Sequence, residues 1–228
     1  MYETEALRIF TRTGAVLAGG HFVYKSRRHG TAYVNWKPEV ARKHIEETDL
    51  LCSGLAGLFR EHQIDAVIGP ATGGILISQL VRHYLRKLSP GDKVLAFYIE
   101  KEQPKIVLMQ YDRHLYHNIS SVRSDCVEHL AEKRVLVVDD VLTTGISVRR
   151  VVEAVRSHGG DPIAVGVLCN RGGVTKEAVG THELKELVNL PLVSWSEEEC
   201  ALSGPCSRDI PVNKECGHGK EFLAKKKK

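Results

Sequence analysis

Arg134-Val-Leu-Val-Val138-Asp139-Asp140-Val141-Leu142-Thr143-Thr144-Gly145-Ile146-Ser147 is the stretch on which the fold turns. An apolar β-type run changes abruptly to two acids, then to small hydroxyl residues and a glycine. Beyond it Val148, Val151, Val152 and Val155 have the spacing of one buried helical face. The predicted unit is strand, loop, helix. At such a helix start the first backbone N–H groups lack partners and the helix dipole is positive, so Thr143, Thr144, Gly145 and Ser147 stand where a phosphate monoester can be cradled. Gly145 permits close backbone approach, and the hydroxyls add donors. Asp139 and Asp140, at the strand end, reach the hydroxyls of a sugar lying across it and favour positive charge at its anomeric carbon. Taken singly, either aspartate would merely cap the helix and Gly145 would merely ease a turn; the whole string carries the functional reading.

The pattern repeats on either side. Residues 38 to about 63 read as an amphipathic helix on Leu51, Leu55, Leu58 and Phe59, with Pro38 suited to a first turn. Residues 65–69 read as a short buried strand, 70–74 as a turn, and the next helix carries Ile77, Leu80, Val81, Tyr84, Leu85 and Leu88. Further strands are expected at 93–100 and 162–169. Strands alternating with amphipathic helices predict an α/β protein, a parallel sheet with helices on both faces, whose ligands bind beyond the carboxyl ends of the strands. The loops after Gly69, Glu100, Val138 and Cys169 are therefore the candidate site. Residues 101–133 show little periodicity and predict a long excursion over that site. The expected organisation is an N-terminal hood over about 1–37, a core over about 38–195, and an irregular C-terminal appendage with a lysine tail over 196–228.

Bulk composition fits one large core. The chain has 228 residues, 43% hydrophobic and 26% charged, the balance of an ordinary folded protein. Its net charge of +4 equals the contribution of Lys225, Lys226, Lys227 and Lys228, so no basic face argues for nucleic acid as a partner. No apolar window has the length of a membrane helix, and the start Met1-Tyr2-Glu3-Thr4-Glu5 carries no basic leader; a cytoplasmic location is expected. Six cysteines are too sparse for a disulfide scaffold. Cys52, Cys126 and Cys169 read as core thiols.

The run 134–147 resembles the donor-binding signature of type I phosphoribosyltransferases: four apolar residues, two acids, then Thr-x-Gly-x-Ser/Thr. It differs from the nucleotide P-loop, whose Gly-x-x-x-x-Gly-Lys string does not occur here. The resemblance covers roughly residues 15–195 by motif order and is strongest to orotate phosphoribosyltransferases. It implies a Rossmann-like core and binding of a phosphoribosyl donor by Asp139, Asp140, Val141, Leu142, Thr143, Thr144, Gly145, Ile146 and Ser147. The stretch from Gly20 to Asn35, with Lys25 in the place of the family's lysine, resembles the part that lies against base and donor. Gly69-Pro-Ala-Thr72-Gly73-Gly-Ile75 resembles the diphosphate-facing loop, although many orotate enzymes carry Tyr-Lys where Thr72-Gly73 stand here. Glu100-Lys101-Glu102 resembles the start of a catalytic loop that in a homodimer reaches over the neighbouring site. Asp139, Asp140 and Lys101 are then the catalytic candidates. After Glu102 the family's further basic residues and histidine give way to Gln103, Pro104, Ile106 and Val107, with Lys105, Arg113 or His114 as stand-ins. Arg171, just past the strand expected at 162–169, matches the arginine that pairs with the orotate carboxylate, and a guanidinium suits that role chemically; Thr143 belongs beside it.

The resemblance implies orotate and a phosphoribosyl diphosphate donor as substrates, with Mg²⁺ held chiefly by substrate and water. A purine or another pyrimidine as acceptor is the alternative, since the donor loop is shared. So is a regulatory protein of this fold that senses the donor and binds nucleic acid. Within the appendage Cys200, Cys206, Cys216 and His218 are candidate zinc ligands. Their Cys-x5-Cys and Cys-x-His spacings are uncommon for zinc, so free thiols are the other reading.

Overall fold

The computed structural model describes residues 2–24, 26–36, 38–91, 93–100, 106–109, 121–122 and 129–226. Its core is a seven-stranded sheet of order β6-β5-β4-β3-β7-β8-β9. The strands are β3 (Ala66–Pro70), β4 (Leu95–Ile99), β5 (Ile106–Met109), β6 (Ser121–Val122), β7 (Arg134–Leu142), β8 (Asp161–Asn170) and β9 (Glu183–Asn189). Those from β4 through β3, β7 and β8 to β9 are parallel.

Alternation along the central strands explains why both faces are covered. On β7, Leu136 and Val138 point to one core cluster while Val135 and Val137 point to the other, and β8 divides Ala164 and Leu168 from Val165 and Val167 in the same way. The first cluster is closed by helices α3 (Ile45–Gly57) and α4 (Gly73–Leu88), through Leu51, Leu55, Ile77, Val81 and Leu85. The second is closed by α5 (Ile146–Ser157), whose Val148, Val151, Val152 and Val155 are all fully buried.

The expected α/β fold, a mainly parallel sheet with helices on both faces, is what forms, and β5 and β6, inside the stretch 101–133, add antiparallel strands beside β4. Few residues separate β4 from β5, and so short a connection permits only an antiparallel return. The helix expected over 38–63 is two, α2 (Pro38–Lys43) and α3, and α3 ends at Gly57. His44 leaves the helical region between them at φ −120°, ψ 58°, and the buried Thr48 hydroxyl lies 3.0 Å from the Ala41 carbonyl, bridging the break. The appendage, finally, is ordered. It holds α7 (Glu197–Ser203), a 3₁₀ turn (Cys206–Arg208) and α8 (Gly219–Lys226), and Ser196 and Glu199 form a reciprocal capping box at the start of α7.

The hood is helix α1 (Tyr2–Arg12) and an antiparallel hairpin, β1 (Val16–Val23) and β2 (His29–Val34), to which β10 (Ser194–Trp195) adds a third strand. The remaining helix, α6 (Lys176–Val179), follows β8. Among the described residues no helix is long and apolar enough to cross a membrane.

Candidate active site

Strand β7 continues as far as Leu142 and delivers its acids to the carboxyl edge of the sheet. Asp139 is 8% exposed and its Oδ1 accepts the Asp140 N–H at 2.9 Å, while Asp140 Oδ1 accepts the Val141 N–H at 2.6 Å. These bonds orient both carboxylates against their own loop. Gly145 then takes φ 74°, the left-handed region that glycine enters without a Cβ penalty, and caps α5 without a side-chain bond. A cleft of about 120 Å³ lies over this corner, lined by Asp139 and residues 141–148. The exposed Thr143, Thr144 and Ser147 stand at its rim with the free N-terminus of α5. Open N–H groups, hydroxyls and a positive dipole end are the chemistry that suits an anion.

The loop after β3 meets the donor loop. A Cβ added to Gly73 would stand 2.5 Å from Asp140 Oδ2, and Gly69 and Gly74 approach each other so closely that a Cβ on either would strike the other's backbone. The Ala71–Thr72 peptide is cis, and the Ala71 N–H donates to the Ile99 carbonyl at 2.8 Å, tying this loop to the end of β4. Gly73, the first residue of α4 after its N-cap Thr72, faces Asp140 across a narrow gap.

Arg171 closes the third side. Its Nε donates to Thr143 Oγ1 at 2.8 Å, and its guanidinium carbon lies 5.1 Å from the Tyr24 ring centre and 5.2 Å from that of Tyr33, a cation–π arrangement. The Arg171 Nη1 is buried with no hydrogen-bond partner among the described residues. That leaves a charged donor directed beside the hood's two tyrosines, suited to a carboxylate. Asn170 clasps the loop, its side-chain amide donating to the Val174 carbonyl at 2.9 Å and accepting the Val174 N–H at 3.0 Å. At Gly172 a Cβ would overlap the Thr143 carbonyl, so the two loops pack backbone to backbone. Burial raises the Tyr24 hydroxyl above its usual range against the opposing pull of Arg171.

The structure thus brings together Thr72, Gly73, Asp139 to Ser147 and Arg171. Lys25, Lys101, Glu102, Gln103, Pro104, Lys105, Arg113, His114 and Cys126 lie outside the described residues. Cys52 and Cys169 are buried, as read, and burial pushes the Cys169 thiol up to about 12. Tyr24, Tyr33 and Asn170 have no motif spacing of their own; the signal for the tyrosines is their place in the aromatic hairpin. Of the candidate zinc ligands, Cys200 and Cys206 come together, but with His21 and His29 in place of Cys216 and His218. His218 instead lies 3.8 Å from Glu221, one turn along at the start of α8.

Residues 48–185 match the phosphoribosyl transferase domain family. The orotate phosphoribosyltransferase of Pelotomaculum thermopropionicum is 36% identical over 220 residues, 94% of this chain and 97% of its own length. That of Desulforamulus reducens is 34% identical over 214 residues, 94% of this chain and 96% of its own. Among solved structures, an orotate phosphoribosyltransferase of Mycobacterium tuberculosis is 23% identical with a TM-score of 0.60, covering 83% of this chain and 97% of that one. At that identity the likeness shows the fold.

Proposed function

The chain belongs to the orotate phosphoribosyltransferase family, and from that premise we propose that it joins the phosphoribosyl group of 5-phosphoribosyl 1-diphosphate to orotate, giving orotidine 5′-monophosphate and diphosphate. The observation that carries this reading is Arg171. Its Nη1 is buried with no partner among the described residues while its Nε donates to Thr143 of the donor loop, so an acid-recognising group stands beside a phosphate cradle.

Each part of the site has a task in the reaction. The 5-phosphate rests on the N-terminus of α5 within the cleft of residues 141–148. Asp139 and Asp140 hold the ribose hydroxyls and stabilise positive charge as the bond from the anomeric carbon to the diphosphate oxygen breaks. A bond from that carbon to the base nitrogen forms, and the nitrogen's proton is released. Thr72 and Gly73 border the leaving diphosphate, and Lys101 supplies a cation toward it. Arg171 pairs with the orotate carboxylate, and Tyr24 and Tyr33 wall the base. Binding both substrates in one orientation removes much of the entropic barrier.

The oxygen donors of Asp139 and Asp140, at the mouth of the cleft, are of the hard class that Mg²⁺ takes. They would hold it directly or through water and substrate, and the cation supplies charge neutralisation to the diphosphate. The protein acts in the cytoplasm as a homodimer. The test is to mix protein, Mg²⁺ and donor with orotate, uracil, adenine, hypoxanthine and guanine in turn and follow diphosphate release. Release with orotate above all is the expected result; release with a neutral purine in its place would refute the assignment.

A further inference from the structure

Far from the donor loop in function, four side chains that the reaction does not use converge beneath the hood. His29 pairs across the hairpin with Val23, and His21, two residues before Val23 on β1, shares its face. The chain leaves β10, which pairs with β2 at Trp195 and His29, and enters α7, so that Cys200 and Cys206 are carried back over the same face. All four possible ligand atoms lie within 4.8 Å of one another. His21 Nε2 is 2.8 Å from His29 Nδ1, Cys206 Sγ is 3.5 Å from His29 Nδ1 and 3.7 Å from His21 Nε2, and Cys200 Sγ is 4.0 Å from His21 Nε2.

We infer that His21, His29, Cys200 and Cys206 form a structural metal site of the Cys₂His₂ class, selective for Zn²⁺, that fastens the C-terminal segment to the hood. Tetrahedral zinc with ordinary bond lengths puts its ligand atoms about 3.3–3.8 Å apart, so sub-ångström movements complete the shell. Soft sulfur with imidazole in tetrahedral array favours zinc over hard cations.

The surroundings are prepared for this ion. His21 Nδ1 lies 2.9 Å from the Ile210 carbonyl, which can only accept. The proton is therefore on Nδ1, and the Nε2 lone pair is turned toward the cluster, the outer bond that orients metal-binding histidines. The Cys206 N–H points at Cys200 Sγ from 3.2 Å, a backbone donor contact that orients the sulfur in the cluster. Gly204 lets the turn cross Cys200, since a Cβ there would stand 2.9 Å from the sulfur. His21, His29 and Cys200 are 2%, 0% and 0% exposed, and burying two imidazoles beside thiols is costly unless they share a partner. Loading breaks the His21–His29 hydrogen bond, releases the two thiol protons and leaves His29 protonated on Nε2. Among the described residues the segment is also tied to the hood by the Asn213 N–H on the His21 carbonyl at 2.7 Å, the His218 N–H on the Val23 carbonyl at 2.8 Å, the Arg28–Glu199 ion pair at 3.3 Å and the edge contact of Phe222 with the His29 ring.

The experiment is elemental analysis of the full chain purified without chelator, followed by zinc titration of reduced, chelator-stripped protein against a chromogenic competitor. About one zinc per chain is expected, tightly held. Cobalt should give the thiolate charge-transfer and tetrahedral ligand-field bands of an S₂N₂ site. Cys200→Ser with Cys206→Ser, and His21→Ala, abolish uptake; Cys216→Ser and His218→Ala keep it. Stripping should expose residues 196–226 to proteolysis, and zinc should restore protection. Folded, reduced protein that takes up no zinc, uptake that survives loss of both cysteines, or loss in Cys216→Ser would each overturn the site.

Discussion

The role proposed for Arg171 depends on position as much as on charge. The loop backbone sets it, with the Arg171 N–H on the Leu142 carbonyl at 3.0 Å, and two tyrosine rings and Thr143 hold the guanidinium. Nε is committed to Thr143, whereas Nη1 is buried with no partner among the described residues and is open to a substrate. Since a hydrogen bond to a charged group contributes about 1.5–3 kcal/mol, Arg171→Ala should raise the KM for orotate by about 10- to 100-fold while the KM for the donor changes little. Arg171→Lys should recover little of it, because an ammonium offers neither the fork nor the flat face that lies against the two rings. Steady-state kinetics with each substrate varied in turn decides this, and an equal loss for both substrates would make Arg171 a general support. The arginine was legible in the sequence because a strand end beside Gly172 and Gly173 marks a ligand-side loop. Tyr24 and Tyr33 were not, because aromatic residues in a hairpin carry no spacing that separates a base-facing ring from a packed one.

Elements were legible in proportion to how fully they are buried. Strand β7 and helix α5 meet only apolar neighbours on their inner sides, so their periodicity survives in the sequence as runs of valine and leucine. β9 was hidden: an edge strand of the sequence Glu-Leu-Lys-Glu-Leu-Val-Asn carries charges that protect its open side, and these blur the pattern. The start of β7 is clasped to β3 by one ion pair. Asp65 Oδ2 accepts the Arg134 backbone N–H and Nε, each at 2.9 Å, and Oδ1 accepts Nη2 at 3.0 Å. Those hydrogen bonds hold the Asp65 carboxyl down at about 2, against an ordinary 3.8. A depressed carboxylate stabilises the fold fully above its unfolded value and loses that contribution as pH falls through its folded one. The stability gap between wild type and Asp65→Asn, roughly 1 kcal/mol after solvent screening of a partly exposed pair, should be constant near neutrality. It should shrink as the pH is lowered from about 4 toward about 2 in denaturant titrations, and a gap independent of pH would contradict the assigned cause.

At the scale of the molecule the site is a meeting of three loops from one sheet edge under a hood, and the family resemblance adds a fourth contribution from a neighbour. Lys101 is proposed to serve the partner's site. A Lys101→Ala preparation and an Asp139→Asn, Asp140→Asn preparation, each nearly inactive, should recover activity when unfolded and refolded together. Random pairing makes half the dimers mixed, each with one intact site, so recovery should approach roughly a quarter of wild type. No recovery, with mixed dimers verified by mass, would confine Lys101 to its own subunit. Such assembly leaves no trace in one chain's periodicity, which is why the core could be read from the sequence and the pairing rested on resemblance. The proposed reaction passes through the end of β7 and the loop after it, where Asp139 lines the cleft and Asp140 lies beside Gly73. The most direct measurement is orotate-dependent diphosphate release by the Asp139→Asn, Asp140→Asn double variant, with its fold checked by circular dichroism. The replacements keep size and remove both charges, so turnover should fall by at least about 100-fold in a folded protein; a folded double variant that turns over at the wild-type rate would contradict the account.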